Sequence, residues 1–320
     1  MASEILPVPE KLPIVVVAGP TGSGKSALAM ELAVRFQGEI VNSDSLQLYR
    51  GFDIGTAKTP VAERRGIPHH LFDVLEPREG YSAGEYARAA RAVLREISAR
   101  GQLPIVAGGT GFYLRALLEG LPALPERDSA LRARLAAKEA RTPGKLHRLL
   151  ARLEPQAASK IHANDVQKLT RALEIRLTTG APLPARDAAA PLAGYTALKI
   201  GLNPERAELY RRLDQRVLVM FRGRSLGKNG LLEEIQELLA QGATGEEKPF
   251  EALGYKQALA HFRGKLTLEE AIASTQAETR QYAKRQLTWF RRDPEMRWLG
   301  GFGDEIAIQA QAAEMVRAIL

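Results

Sequence analysis

The segment Gly19-Pro20-Thr21-Gly22-Ser23-Gly24-Lys25-Ser26 fits the pattern G-x-x-x-x-G-K-[ST]. Its chemistry is anion binding. Glycines let successive backbone N–H groups converge on phosphate oxygens, Lys25 adds a point charge, and the Ser26 hydroxyl is a ligand for Mg²⁺. A di- or triphosphate is the expected occupant. Asp44, in the run Asn42-Ser43-Asp44-Ser45, supplies a carboxylate that could hold Mg²⁺ through water or serve as general base on an acceptor nucleophile. The same run is turn-forming, so an Asx turn or a helix cap is the competing reading. Gly108-Gly109-Thr110-Gly111 offers small residues and a hydroxyl, which a strand-to-helix turn would also explain. His69-His70 has no Cys partner and no H-x-x-x-H spacing, so packing or hydrogen bonding in a loop is expected there, not a metal. From Thr279 to Arg292 basic residues mix with aromatics, a pattern suited to phosphate contact and base stacking. A solvated basic face with Trp289 and Phe290 in the core fits it as well.

These groups need a scaffold that brings them together. Ile14 to Ala18 is a short apolar run without polar alternation, as in a strand buried on both faces of a parallel sheet. A helix follows the glycine-rich turn, with Leu28, Leu32 and Phe36 on one face, and Glu39 to Val41 reads as the next strand, placing Asp44 at its carboxyl end. Ser82 and Glu85 form a capping box for a second helix lined by Tyr86, Ala90, Val93, Leu94 and Ile97 and closed by Gly101. Pro104 to Ala107 is a further strand and Phe112 to Leu118 a helix. Beyond Gly120-Leu121-Pro122 the chain is rich in Ala, Leu and Arg, and three or so short helices with no strand are expected from Asp128 to about Gly180. An Ala/Pro linker, Ala181 to Pro191, leads to Tyr195–Leu202, a strand that returns to the sheet. The remainder reads as helices at Pro204–Phe221, Gly230–Leu239, Phe250–His261 and Thr267 to about Phe290, with Gln241–Lys248 a flexible loop.

At 320 residues the chain has room for about two domains. Lys and Arg exceed Asp and Glu by 45 to 37, a net charge of +8, which favours polyanionic partners. Zero cysteines exclude disulfides, thiolate zinc and a Cys nucleophile. The opening MASEILPVPEKLP offers neither a basic nor an apolar leader region, and no run approaches membrane-helix length, so a cytoplasmic protein is expected. No apolar strand ends in a Walker B carboxylate, which counts against a motor ATPase or GTPase and towards small-molecule kinases and transferases.

Taken in order, GPTGSGKSALA, VNSDSLQLYRGFDIGTAK, PHHLFDV, PIVAGGTGFYLRALLEGL, HANDVQKLTRALEI, LGYKQ and QYAKRQLTWFRRD resemble the tRNA dimethylallyltransferases from end to end. The resemblance implies an α/β fold: a P-loop NTPase-like parallel sheet core (1–122), an all-helical insertion domain (123–194), and a return to the core with a helical C-terminal region (195–320). It implies transfer of a dimethylallyl group from dimethylallyl diphosphate to N6 of the adenosine 3′ of the anticodon, in tRNAs reading codons that begin with U. By that resemblance Asp44 is the catalytic base, Arg216 and Thr21 serve the diphosphate with the P-loop, and Ser26 holds Mg²⁺. The tRNA anticodon stem-loop would meet Asp44, Ser45, Leu46, Gln47, Thr110, Arg132, Gln167, Lys168, Leu169, Thr170, Arg171, Gly254, Tyr255, Lys256, Gln257, Arg280, Lys284 and Arg285, with the target base flipped out of its stack. A monomer is expected. One departure bears on Arg216: Leu218 stands where the family has an aspartate, and Phe221 to Asn229 is longer than usual. The rivals are an adenylate isopentenyltransferase making a free cytokinin, a small-molecule P-loop kinase, and a non-catalytic tRNA-binding protein that keeps the P-loop as a phosphate anchor.

Overall fold

The computed structural model describes residues 11–122, 124–184, 190–223 and 230–320. The N-terminal ten residues, the middle of the Ala/Pro linker and residues 224–229 of the lengthened segment lie outside them. Two compact units result, one made of the chain up to Leu118 together with Leu192–Leu320, the other of Glu119–Pro191.

The first unit is built on six parallel strands in the order β3-β2-β4-β1-β5-β6. They are β1 (Leu12–Ala18), β2 (Gly38–Asn42), β3 (His69–His70), β4 (Leu103–Ala107), β5 (Tyr195–Leu202) and β6 (Arg297–Leu299). The apolar run read as a two-sided strand is β1, and it lies at the centre, flanked by β4 and β5. Helices α1 (Lys25–Arg35), α2 (Ala83–Ala99) and α3 (Gly111–Leu118) follow β1, β3 and β4. The expected capping box at Ser82 and Glu85 starts α2. In β1, Val15 and Val17 pack with Leu28 and Leu32 of α1, each a fully buried side chain worth about 1.5–3 kcal/mol, so alternation turns Ile14 and Val16 to the other face.

The second unit holds α4 (Ser129–Arg141), α5 (Lys145–Leu153), the single turn α6 (Pro155–Ala158) and α7 (Val166–Thr179) around Leu135, Leu146, Leu150, Leu169 and Leu173. The chain then returns through β5 to α8 (Arg206–Arg222), α9 (Leu231–Ala240), α10 (Tyr255–Phe262), α11 (Leu268–Phe290) and α12 (Ile306–Arg317).

Sequence reasoning missed four features. The His69-His70 loop is a short edge strand, with His70 Nε2 2.6 Å from Glu39 Oε2 and His69 Nδ1 2.8 Å from the Ile67 carbonyl. Strand β6 has three residues, too few for a periodic signal, and helix α12 after it packs on α1 through Ile308, Ala312 and Val316. The Phe250–His261 helix breaks into a 3₁₀ turn, Lys248–Glu251, and α10. The expected loop runs from Gln241 to Glu247, and in it the Glu247 carboxylate accepts from the Thr244 and Gly245 amides.

Two loops cross at the end of the sheet where β2 and β4 stop. Ser43 N donates to Ala107 O at 2.8 Å and Thr110 N to Ser43 O at 3.1 Å. A Cβ on Gly108 would stand 2.3 Å from the Ser43 carbonyl carbon, backbone that cannot swing aside. Gly108→Ala is therefore expected to lower the free energy of urea unfolding by about 1–3 kcal/mol, and a variant as stable as the wild type would show that this crossing has slack.

Candidate active site

Four loops leave the carboxyl ends of β1, β2, β4 and β5 at one edge of the sheet, where open α/β folds bind ligands. Between β1 and α1 the glycine-rich segment turns tightly, with Gly22 at φ 79° and Gly24 at φ 84°, values only glycine adopts without strain. A cavity of about 770 Å³ opens there, lined by Thr21, Lys25, Ser26, Asp44, Gln47, Gly108 and, from α8, Arg211, Arg212 and Arg216.

The cations in this cavity are of two kinds. Arg211 is paired with Glu208 at 2.5 Å and Arg212 with Asp304 at 2.7 Å. Lys25 and Arg216 have no ion pair among the described residues. Lys25 Nζ donates to the Pro20 carbonyl at 2.8 Å, Arg216 Nη2 donates to Thr21 Oγ1 at 2.7 Å, and Arg216 Nε is buried without a partner. Burial lowers the Lys25 pKa to about 8, with the Asp44 charge opposing and Arg216 adding to the shift. Burial likewise lowers Arg216 to about 10, with Arg212 adding and Asp44 opposing. Half-buried cations without a counter-ion cost free energy that an arriving anion returns. A diphosphate has the charge and the row of acceptor oxygens to do so.

The turn reading of Asp44 is what the structure shows. Its backbone N–H donates to Asn42 Oδ1 at 2.8 Å and its Oδ1 accepts from Leu46 N at 2.9 Å, an Asx turn. Oδ2 has no partner among the described residues and remains available to a substrate proton. Asn42 Nδ2 ties the turn to Asp44 O and Leu71 O, and Thr110 Oγ1 accepts from Ser45 N at 3.1 Å. Gln47 is held by its own donation to Thr56 O at 3.0 Å.

Among the described residues no group of three or more His, Cys, Asp or Glu gathers as a metal site. Ser26, exposed at the start of α1, and Asp44 provide only hard oxygen donors. That set fits Mg²⁺ carried mainly by phosphate oxygens and water.

Comparison with known proteins bears directly on this arrangement. Residues 47–293 match the family model for IPP transferase. The chain belongs to the IPP transferase family. It is 58% identical over 314 residues to the tRNA dimethylallyltransferase of Solibacter usitatus, covering 97% of this chain and 99% of that one. The Koribacter versatilis enzyme of the same name is 52% identical over 309 residues, covering 94% and 97%. Among solved structures, the full-length tRNA isopentenylpyrophosphate transferase of Bacillus halodurans superposes with TM-score 0.70 at 36% identity, covering 97% and 96%. A eukaryotic dimethylallyltransferase acting on tRNA gives TM-score 0.77 at 30% identity, covering 96% of this chain and 78% of that one.

Within this IPP transferase the structure gathers Thr21, Lys25, Ser26, Asp44, Gln47 and Arg216 around one cavity, and Arg216 reaches it with Leu218 where the resemblance leads one to expect an aspartate. Several residues expected to touch RNA also brace the framework. Leu169 and Thr170 are buried in the core of the helical unit, and Arg132 and Arg171 both serve the fully buried Glu174 carboxylate, at 3.2 and 2.6 Å. Gly254, Tyr255 and Gln257 are buried too. The Tyr255 hydroxyl donates to Glu234 Oε1 at 2.5 Å and accepts from Gly55 N at 3.1 Å, while Gln257 caps α10 through Gly254 N. Arg280 pairs with Asp214, Lys256 with Glu278 and Lys168 with Asp165; Gln167, Lys168, Lys256, Lys284 and Arg285 are exposed.

Gln286 was not foreseen as a site residue. Buried on α11, it accepts from Thr21 N at 2.8 Å and donates to Gly109 O at 2.9 Å. A signal existed, because Thr279, Ala283, Gln286 and Phe290 recur every three or four residues and are all buried. Trp289, counted with the core in one reading, is 36% exposed, and its indole edge fills the space a Gly111 side chain would need.

Arg216→Ala should weaken binding of inorganic diphosphate at least about tenfold by isothermal titration calorimetry, the scale of one lost hydrogen bond to a charged group. Unchanged affinity would remove Arg216 from the anion site. Tyr255→Phe strips a donor from a buried carboxylate and an acceptor from Gly55 N, and should cost about 1–3 kcal/mol in urea unfolding while leaving RNA affinity of the folded protein as it was.

Proposed function

We infer that this enzyme transfers the dimethylallyl group of dimethylallyl diphosphate to N6 of the adenosine 3′-adjacent to the anticodon in tRNAs reading codons that begin with U. The observation that carries the reading is a single cavity in which two unpaired cations, on the P-loop and α8, share space with a carboxylate whose Oδ2 is open. Membership in the IPP transferase family supports it. Adenine N6 is a weak nucleophile because its lone pair is delocalised into the ring, and Asp44 Oδ2 takes its proton as the N6–carbon bond forms. The allylic carbon–oxygen bond breaks and its electron pair passes to the diphosphate, where Lys25, Arg216 and Thr21 oppose the growing negative charge. Ser26 would hold Mg²⁺, which when bound adds charge neutralisation to the departing diphosphate.

The free-cytokinin, kinase and binding-protein rivals give way to this reading on family membership and near full-length likeness to tRNA dimethylallyltransferases. Among the described residues no helix is long and apolar enough to cross a membrane.

The test supplies full-length protein, Mg²⁺ and labelled dimethylallyl diphosphate with an anticodon stem-loop RNA or with AMP. Label in the RNA alone is expected; label in AMP alone, or in neither, sinks the reading. Asp44→Asn should lower kcat by about 10²-fold or more with RNA affinity nearly intact, and a loss confined to affinity would make Asp44 a binding residue. Donor affinity should depend on pH with a defined sign. Lys25 is protonated in the free protein below its pKa of about 8, so affinity is flat there. As pH rises past that value the ammonium is lost from the free protein while the bound anion retains it, and affinity falls by up to about tenfold per pH unit. The donor's own phosphate ionises near about pH 6 and does not interfere. Titration calorimetry from pH 7 to 9.5 measures this, and Lys25→Arg should flatten the profile.

A further inference from the structure

We propose that Gln286 is a positioning residue that sets the leaving-group end of the site from the far side of the P-loop, an inference that rests on the diphosphate-transfer reading. Its side-chain amide is the only group among the described residues that hydrogen-bonds the P-loop to the Gly108–Gly111 loop through both of its polar atoms: Oε1 accepts from Thr21 N at 2.8 Å and Nε2 donates to Gly109 O at 2.9 Å. The residue is 6% exposed, and a Cβ on Gly109 would stand 2.3 Å from its Nε2. That contact leaves the amide one seat.

The consequence falls on Thr21. With its N–H committed to Gln286, Thr21 does not offer that amide to a phosphate. Its position is fixed from behind, and its Oγ1 accepts from Arg216 Nη2 at 2.7 Å. A hydroxyl that accepts from a guanidinium has its own proton left to donate. Thr21 O–H, the buried Arg216 Nε and the free N–H bonds of Lys25 are then the donors available to the oxygen on which negative charge grows as the carbon–oxygen bond breaks. Gln286 touches none of the reacting atoms and acts through Thr21. It also ties that geometry to α11, whose outer side carries exposed Lys284 and Arg285.

Gln286→Met keeps the side-chain length and removes both hydrogen bonds. In the full-length protein with Mg²⁺, dimethylallyl diphosphate and stem-loop RNA, it should lower kcat by about 10- to 10²-fold, the scale of a small misplacement at a reacting centre. KM for RNA should stay within about twofold of wild type. Gly109→Ala, which displaces the amide from the opposite side, should show the same split if Gln286→Met is too unstable to assay. In a double-mutant cycle with Thr21→Val, Gln286→Met should add little to the loss already caused, because the hydroxyl it positions is gone. Full kcat per folded molecule, a change confined to KM for RNA, or additive losses in the cycle would each overturn the role. A wild-type enzyme that does not use dimethylallyl diphosphate would sink the underlying reading as well, whereas an active wild type with an additive cycle overturns the Gln286 role alone.

Discussion

Two half-buried cations without a carboxylate partner among the described residues, Lys25 and Arg216, are the constraint on which the rest of this structure depends. Left to themselves they would swing toward solvent or toward the nearest acid, since an uncompensated buried charge is costly. The fold prevents both. Lys25 is fixed by the Pro20 carbonyl and Arg216 by the Thr21 hydroxyl, and the neighbouring arginines of α8 take up Glu208 and Asp304. What remains is the pair of cations on which the proposed diphosphate reading rests.

The same economy runs through the acceptor side. Asp44 uses one oxygen to build its own turn and leaves the other open, so the group that holds the loop is also the group that can take a proton. Thr110 and Thr56 act behind it, by accepting from Ser45 N and Gln47 Nε2. Farther out, the buried Glu234 carboxylate accepts from Asp53 N, Ile54 N and the Tyr255 hydroxyl, and burial raises its pKa despite those donors. Through it α9 and α10 hold the chain that carries Thr56, which lines the cavity.

Residues that the family resemblance placed at an RNA surface divide by burial. Leu169, Thr170, Tyr255 and Gln257 face inward because helical segments must bury one side, and a short motif does not say which. Lys168, Lys284 and Arg285 remain outside. Arg132 and Arg171 are the instructive pair: both also hydrogen-bond the buried Glu174, forty-two and three residues away along the chain.

The sequence by itself determined what is local. The glycine-rich turn between an apolar strand and an amphipathic helix was legible, and the capping box at Ser82 and Glu85 marks its helix unaided, because those interactions span only a few residues. The strand at Tyr195–Leu202 was legible for the same reason. Only the tertiary structure decided that Gln286 would meet Thr21, 265 residues earlier, and that Arg216 would stand beside the same threonine from α8. It alone made an edge strand of His69-His70, which pair with β2, and brought β6 alongside β5. Such pairings are fixed by the closing of the sheet and the packing of helices on it, and their distance in sequence leaves no periodic trace to read.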